Sequence, residues 1–313
     1  MSTSLDLERQ LRHLRRAAER NALPVREIVL PNAHHVLAGD TRLHYLDWGG
    51  KSRRDVLFLH GGGLNAHTWD VVCLGLREEF RCIALDQRGH GESEWSAGMD
   101  YSTGAHVRDI ERFVDAIGLE NFVLVGMSLG GLNSIEYAAR HSDRLEALVL
   151  VDVGPEIRLA GTSKISAFVQ QPAELPSVED FVERALAFNP RRNRDLLRTS
   201  LLHNLRQLPD GTWTWKYDRR HYGLIDRKAM DAARLKLADR LPEIRCRTLV
   251  VRGEHSDVFW AEDAEKLVGQ LPDARWVEIA HAGHTVQGDN PGDLIVALRN
   301  FLSPGFEPGE GQR

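Results

Sequence analysis

Residues 121–131 read NFVLVGMSLGG. A short apolar run, Phe122 to Val125, ends in Gly126-Met127-Ser128-Leu129-Gly130, and helical periodicity resumes behind it. This is a G-x-S-x-G pattern between a predicted strand and a predicted helix. Its glycines have a steric purpose. A sharp, strained turn must push Ser128 out at the top of a sheet, and side chains at the flanking positions would collide with neighbouring elements. The serine also lands at a helix N-terminus, where N–H groups and the helix dipole favour a developing oxyanion. Alone, the same pattern describes a tight turn with an N-capping serine.

The surrounding chain supplies the context. DVLFLH (55–60), RCIALD (81–86), FVLVG (122–126), ALVLVDV (147–153), TLVVRG (248–253) and RWVEIA (275–280) are continuous apolar runs, as strands buried on both faces require. Helical stretches at 67–78, 103–117, 129–140, 261–271 and 290–302 separate them. Such alternation predicts right-handed crossovers and an α/β fold with a doubly wound, mostly parallel sheet. Segments 26–30 and 41–47 are expected as antiparallel strands at one edge. The core is expected over 25–154 and 243–303. Between them, 155–242 shows no strand-like run but helical segments such as 177–188 and 191–205, and is read as an inserted helical cap over the carboxyl ends of the strands. The N-terminal segment 1–24 reads as an amphipathic helix, with Leu7, Leu11, Leu14 and Ala18 on one face and Arg9, Arg12, Arg15, Arg16 and Arg20 on a solvated one. Pro24 stops it. The Gly- and Pro-rich tail 304–313 is expected to be flexible.

Further motifs follow core strands. His60-Gly61-Gly62-Gly63 is a glycine-rich turn that can point a backbone N–H into a site; the Gly62 and Leu129 N–H groups are the candidate oxyanion hole, with Gly63 as substitute for Gly62. Asp257 follows the strand at 248–253, and His284 follows the last strand, with Gly283 expected to permit the bend. Ser128, Asp257 and His284 occur in that order, each behind a strand of one sheet, and are the candidate nucleophile, acid and base. Asp152 also ends a core strand and is the alternative acid. Trp213, Trp215 and Tyr217 alternate within the insertion and either pack it or line a pocket; Met127 and Trp260 are further candidate substrate contacts. His60, Asp86 and Arg88 read as structural.

HGGG at 60–63, DQRGHGES at 86–93, GMSLGG at 126–131, RGEHSD at 252–257 and HAGHTVQGDNP at 281–291 together resemble, in order, the motifs of the α/β-hydrolase family over about residues 40–302. The resemblance implies a serine hydrolase without metal or organic cofactor, acting on a small-molecule carbonyl compound. Carboxylesterases, enol-lactonases, C–C hydrolases of meta-cleavage products and cofactor-free haloperoxidases share the arrangement. Epoxide hydrolases and haloalkane dehalogenases use an aspartate where Ser128 stands. Met127 occupies a position where many family esterases carry histidine. The expected reaction is cleavage of an ester or lactone of a largely apolar substrate. A C–C hydrolase would need a cationic cluster, for which Arg191, Arg192, Arg194, Arg219 and Arg220 are candidates. A non-catalytic ligand receptor is the reading from another class, and the intact triad argues against it.

Composition bounds these readings. The chain has 313 residues, 42% hydrophobic, enough to bury a large α/β core. A net charge of -5 gives no reason to expect a nucleic acid or an anionic membrane surface as partner. Cys73, Cys82 and Cys246 are scattered and form no CxxC pair, so neither a disulfide framework nor a zinc site is suggested. No secretory leader or apolar span is visible, and the expected location is cytoplasmic. A homo-oligomer is left open.

Overall fold

In the computed structural model, residues 4–50, 54–156, 164, 167–190, 192–220 and 234–303 are described. The expected flexible tail and Arg191 fall outside them. Eight strands form the main sheet: β1 (Asn32–Ala38), β2 (Thr41–Asp47), β3 (Asp55–Leu59), β4 (Arg81–Leu85), β5 (Phe122–Met127), β6 (Leu145–Val151), β10 (Arg247–Gly253) and β11 (Ala274–Ile279). Their order is β1-β2-β4-β3-β5-β6-β10-β11. β1 pairs antiparallel with β2, and β2 with β4; every other neighbour pair is parallel.

Alternation along the buried strands supplies both faces of the sheet. Val56 and Phe58, Val123 and Val125, and Val149 and Val151 join one core with the helices Asp70–Leu76 and Pro291–Leu302. Leu57 and Leu59, Phe122 and Leu124, and Leu148 and Leu150 join the other with the helices Thr103–Ile117, Leu129–His141 and Ala261–Gln270. This two-sided burial is why these runs are apolar at every position rather than at every second one.

The first expected strand is misplaced. β1 runs over 32–38, and 26–30 is irregular. Ile28, Val29 and Leu30 pack on the core from a non-strand segment, which explains their apolar character. β1 is a sheet edge whose side chains are mostly exposed, so it lacks the buried-strand pattern. The N-terminal helix Ser4–Arg20 buries Leu14, Ala17 and Ala18 and leaves its arginines in solvent, while Leu7 is exposed.

The insertion is not purely helical. Its helices Val178–Phe188 and Arg194–Asn204 accompany a three-stranded antiparallel sheet, ordered β7 (Glu174–Leu175), β9 (Trp213–Trp215), β8 (Leu205–Gln207). Two- and three-residue strands carry too little periodicity to show in sequence. Phe181, Val182, Leu197, Leu201, Leu205, Trp215 and Tyr217 give this unit its own small core.

Candidate active site

β5 and β6 lie side by side, with Met127 opposite Val151. The residue after each strand is therefore delivered to the same end of the sheet: Ser128 from β5 and Asp152 from β6. Both have positive φ, Ser128 at 52° and Asp152 at 52°, a conformation that L-residues adopt only at a cost. Around Ser128 the glycines act as expected. A Cβ on Gly126 would collide with Ser134 Oγ and the Gly130 carbonyl, and one on Gly130 with the carbonyls of Leu59 and His60. The Gly130 N–H donates to the His60 carbonyl (3.1 Å), fixing the serine turn to the HGGG loop.

His284 Nδ1 lies 2.8 Å from Asp152 Oδ2. Asp152 is fully buried and receives two more donors, Gly253 N–H to Oδ1 (3.0 Å) and Ser256 Oγ–H to Oδ2 (2.6 Å). A buried carboxylate held this way is an acceptor, so Nδ1 carries the ring proton and Nε2 keeps its lone pair. The acid beside the histidine is thus Asp152, correcting the expectation of Asp257. Asp257 sits in the turn after β10, and its side chain is 48% exposed and paired with Lys164 (2.6 Å). What the end of β10 and its turn contribute is the Gly253 N–H and the Ser256 hydroxyl, a cradle for the carboxylate that follows the neighbouring strand. Nothing in the local sequence distinguishes the two aspartates; the β6–β10 register does.

The histidine loop also differs in detail. Its left-handed residue is His281 (φ 58°), not Gly283. The glycine this loop demands is Gly253, where a Cβ would collide with the carbonyls of Ala282 and Gly283. The His281 side chain is 87% exposed and its N–H donates to Glu254 (2.7 Å), whereas the His284 ring is mostly buried. Asp289 accepts the Gly283 N–H (3.0 Å) and faces Arg192 of the insertion (3.6 Å).

Neither the Gly62 nor the Leu129 N–H has an acceptor among the described residues, as a pair of oxyanion donors requires. Gly62 is exposed, and Gly63 is left-handed (φ 74°) beneath the Tyr217 ring. Met127 is a core residue, 1% exposed, with its sulfur against Gly61; it supports the turn from below. Trp215 packs edge-on against Phe181 and Trp213 lies on the same cluster, so both are packing residues of the insertion. Trp260 is 43% exposed at the start of the helix Ala261–Gln270. Tyr217, treated in the sequence only as one of three alternating aromatics, is the one that reaches the glycine loop.

The neighbouring histidines have structural partners. His60 is buried; its Nε2 accepts the Gln87 N–H (3.0 Å), and burial pushes its imidazole below the ordinary range. Asp86 faces His44 (2.7 Å) and accepts the Ala66 and Glu92 N–H groups. Burial alone would raise this carboxyl, but the His44 bond and nearby charge, together with the Ala66 N–H, bring it down to about 2.

Residues 56–291 match the family model described as alpha/beta hydrolase fold. The chain is 35% identical to the esterase Rv0045c of Mycobacterium tuberculosis, over 87% of this chain and 90% of that protein. A crystal structure of that esterase superposes with a TM-score of 0.75, at 32% identity, covering 96% of this chain and 99% of the other. It is 29% identical to the N-formylmaleamate deformylase of Pseudomonas putida, over 86% of this chain and 95% of that one. With the serine turn, the histidine–carboxylate pair and the sheet order in place, the chain belongs to the α/β-hydrolase family and is a hydrolase.

Proposed function

We propose that the protein is a serine esterase in which Ser128 attacks a carboxylic ester of a small to medium, largely apolar substrate. The carrying observation is the buried Asp152–His284 hydrogen bond at the sheet end where the strained Ser128 emerges. Neutral His284 takes the Ser128 proton on Nε2 as Oγ adds to the carbonyl, and Asp152 stabilises the resulting imidazolium. The Gly62 and Leu129 N–H groups hold the oxyanion. His284 then protonates the departing alkoxide, and water, deprotonated by the same ring, releases the acid and restores Ser128. Residues 155–242 act as a cap that shapes the entrance, with Tyr217 against the glycine loop. Similarity to the M. tuberculosis esterase supports this reaction type.

Charge favours an ester over an acidic C–C substrate. Arg194 is paired with Glu183, Arg220 with Asp218 and Arg192 with Asp289, and Arg219 is held by the carbonyls of Val169 and Gln171. Among the described residues these candidate cations are already engaged. We place the protein in the cytoplasm: its three cysteines are free and buried, and no helix among the described residues is long and apolar enough to cross a membrane.

The test combines a fluorophosphonate probe with a series of p-nitrophenyl esters. Labelling and turnover are expected in the wild type and lost in Ser128→Ala. Labelling that persists in Ser128→Ala, or turnover confined to carbon–carbon bonds, overturns the reading.

A further inference from the structure

We propose that His67, Asp70 and His203 form a binding site for one divalent transition-metal ion, at the seam between the core and the insertion. His67 lies in the 3-10 turn Ala66–Trp69, which follows the HGGG loop, and Asp70 opens the helix behind it. His203 is in the last turn of the insertion helix Arg194–Asn204. The spacing in sequence hides the set; the fold assembles it. One donor atom from each residue lies within 4.8 Å of the other two. The two imidazole rings stack at 3.7 Å between centroids, tilted by 22°. The Asn65 side chain donates to the His203 carbonyl (2.8 Å), holding the two segments in register.

One feature points to a ligand rather than to packing alone. Asp70 Oδ2 faces His67 Nδ1 (2.9 Å), but Asp70 Oδ1 is buried with no partner among the described residues. A buried carboxylate oxygen left without a donor is destabilising, and a cation would offset that cost.

Two imidazoles and one carboxylate are the donors that zinc, cobalt, nickel and copper take in preference to calcium or magnesium. Donors about 2.0–2.1 Å from a tetrahedral ion stand about 3.3 Å apart. Binding one ion to all three therefore requires the side chains to rotate toward it. A bound ion would join the insertion to the turn that begins three residues past Gly63, and so stiffen the entrance to the site. This inference stands independently of the substrate assigned above.

The experiment titrates chelator-treated full-length protein with Co²⁺ and with Zn²⁺, reading stoichiometry by calorimetry and histidine ligation by the paramagnetically shifted imidazole N–H signals of the Co²⁺ form. The variants are His203→Gln, Asp70→Asn and the double variant His255→Gln/His281→Gln. The double variant removes two donors of the exposed Glu254–His255–His281 group, the other cluster of donors among the described residues. One saturable site is expected in wild type and in the double variant, with two shifted imidazole signals. His203→Gln should weaken binding at least tenfold and leave one signal. Asp70→Asn should weaken it comparably; if that variant does not fold, His203→Gln decides alone. Unchanged affinity in His203→Gln, loss of binding in the double variant, or no saturable binding in wild type overturns the proposal.

Discussion

Ser128 and Asp152 are held at positive φ by opposite means. Ser128 is trapped from outside, by glycines at 126 and 130 that let neighbouring carbonyls approach. Asp152 is held by its own side chain, whose oxygens take three donors from β10's turn and the histidine loop. Removing its charge should therefore remove tautomer control while preserving the packing. Asp152→Asn is expected to lower kcat by about 10⁴, and Asp257→Asn by less than about tenfold. Comparable losses in the two variants would return the acid to the turn after β10. Ser256→Ala removes one donor to the same carboxylate and also the acceptor of the Val258 and Phe259 N–H groups (3.3 Å each), so a loss of about tenfold in kcat should be accompanied by a lowered melting temperature. The serine turn and the buried histidine were legible in sequence because each sits in a motif with its own steric logic. The carboxylate that meets the histidine was not, because two aspartates each follow a strand and only strand pairing tells which one lies beside it.

At the level of elements, the buried strands were readable because burial on both faces forces an unbroken apolar run. β1 was not, since an exposed edge imposes no such pattern, and neither were the short strands of the insertion. Their aromatics divide by what they touch. Trp215→Ala should destabilise the insertion by about 3–5 kcal/mol, as for other buried tryptophans, lowering its unfolding transition with similar effects on all substrates. Tyr217→Ala should instead change relative kcat/KM across acyl chain lengths, because its ring lies over Gly63. An effect of Tyr217→Ala that is uniform across the series would assign it to packing as well. Arg192 links the insertion to the histidine loop through Asp289, which in turn accepts the Gly283 N–H next to His284. Arg192→Met is expected to lower kcat about tenfold with KM little changed, through misplacement of the ring; a rise in KM alone would show that it contacts substrate instead.

Across the whole molecule, the Asp86 network joins β2, β4 and the turn that follows the HGGG loop. Its carboxyl, lowered from 3.8 to about 2, contributes stability that is fully present above the unfolded value and lost as pH falls through the folded one. That difference corresponds to about 2 kcal/mol. Denaturant midpoints measured from pH 5 down to pH 2 should fall less steeply in Asp86→Asn than in wild type; parallel curves would show that other carboxylates govern acid unfolding.

The order in which the chain is made adds a last consequence of the Asp152 cradle. Ser128, Asp152 and the glycine loop leave the ribosome before the insertion does. Gly253, Ser256 and His284 leave after it. Until β10 and β11 dock, the nascent polypeptide carries a hydroxyl with no base and an aspartate with nothing to orient it. A chain that ends before His284 therefore carries no base for Ser128 and is expected to be inert toward esters. Turnover thus reports that synthesis has passed the last strand and that β10 and β11 have docked.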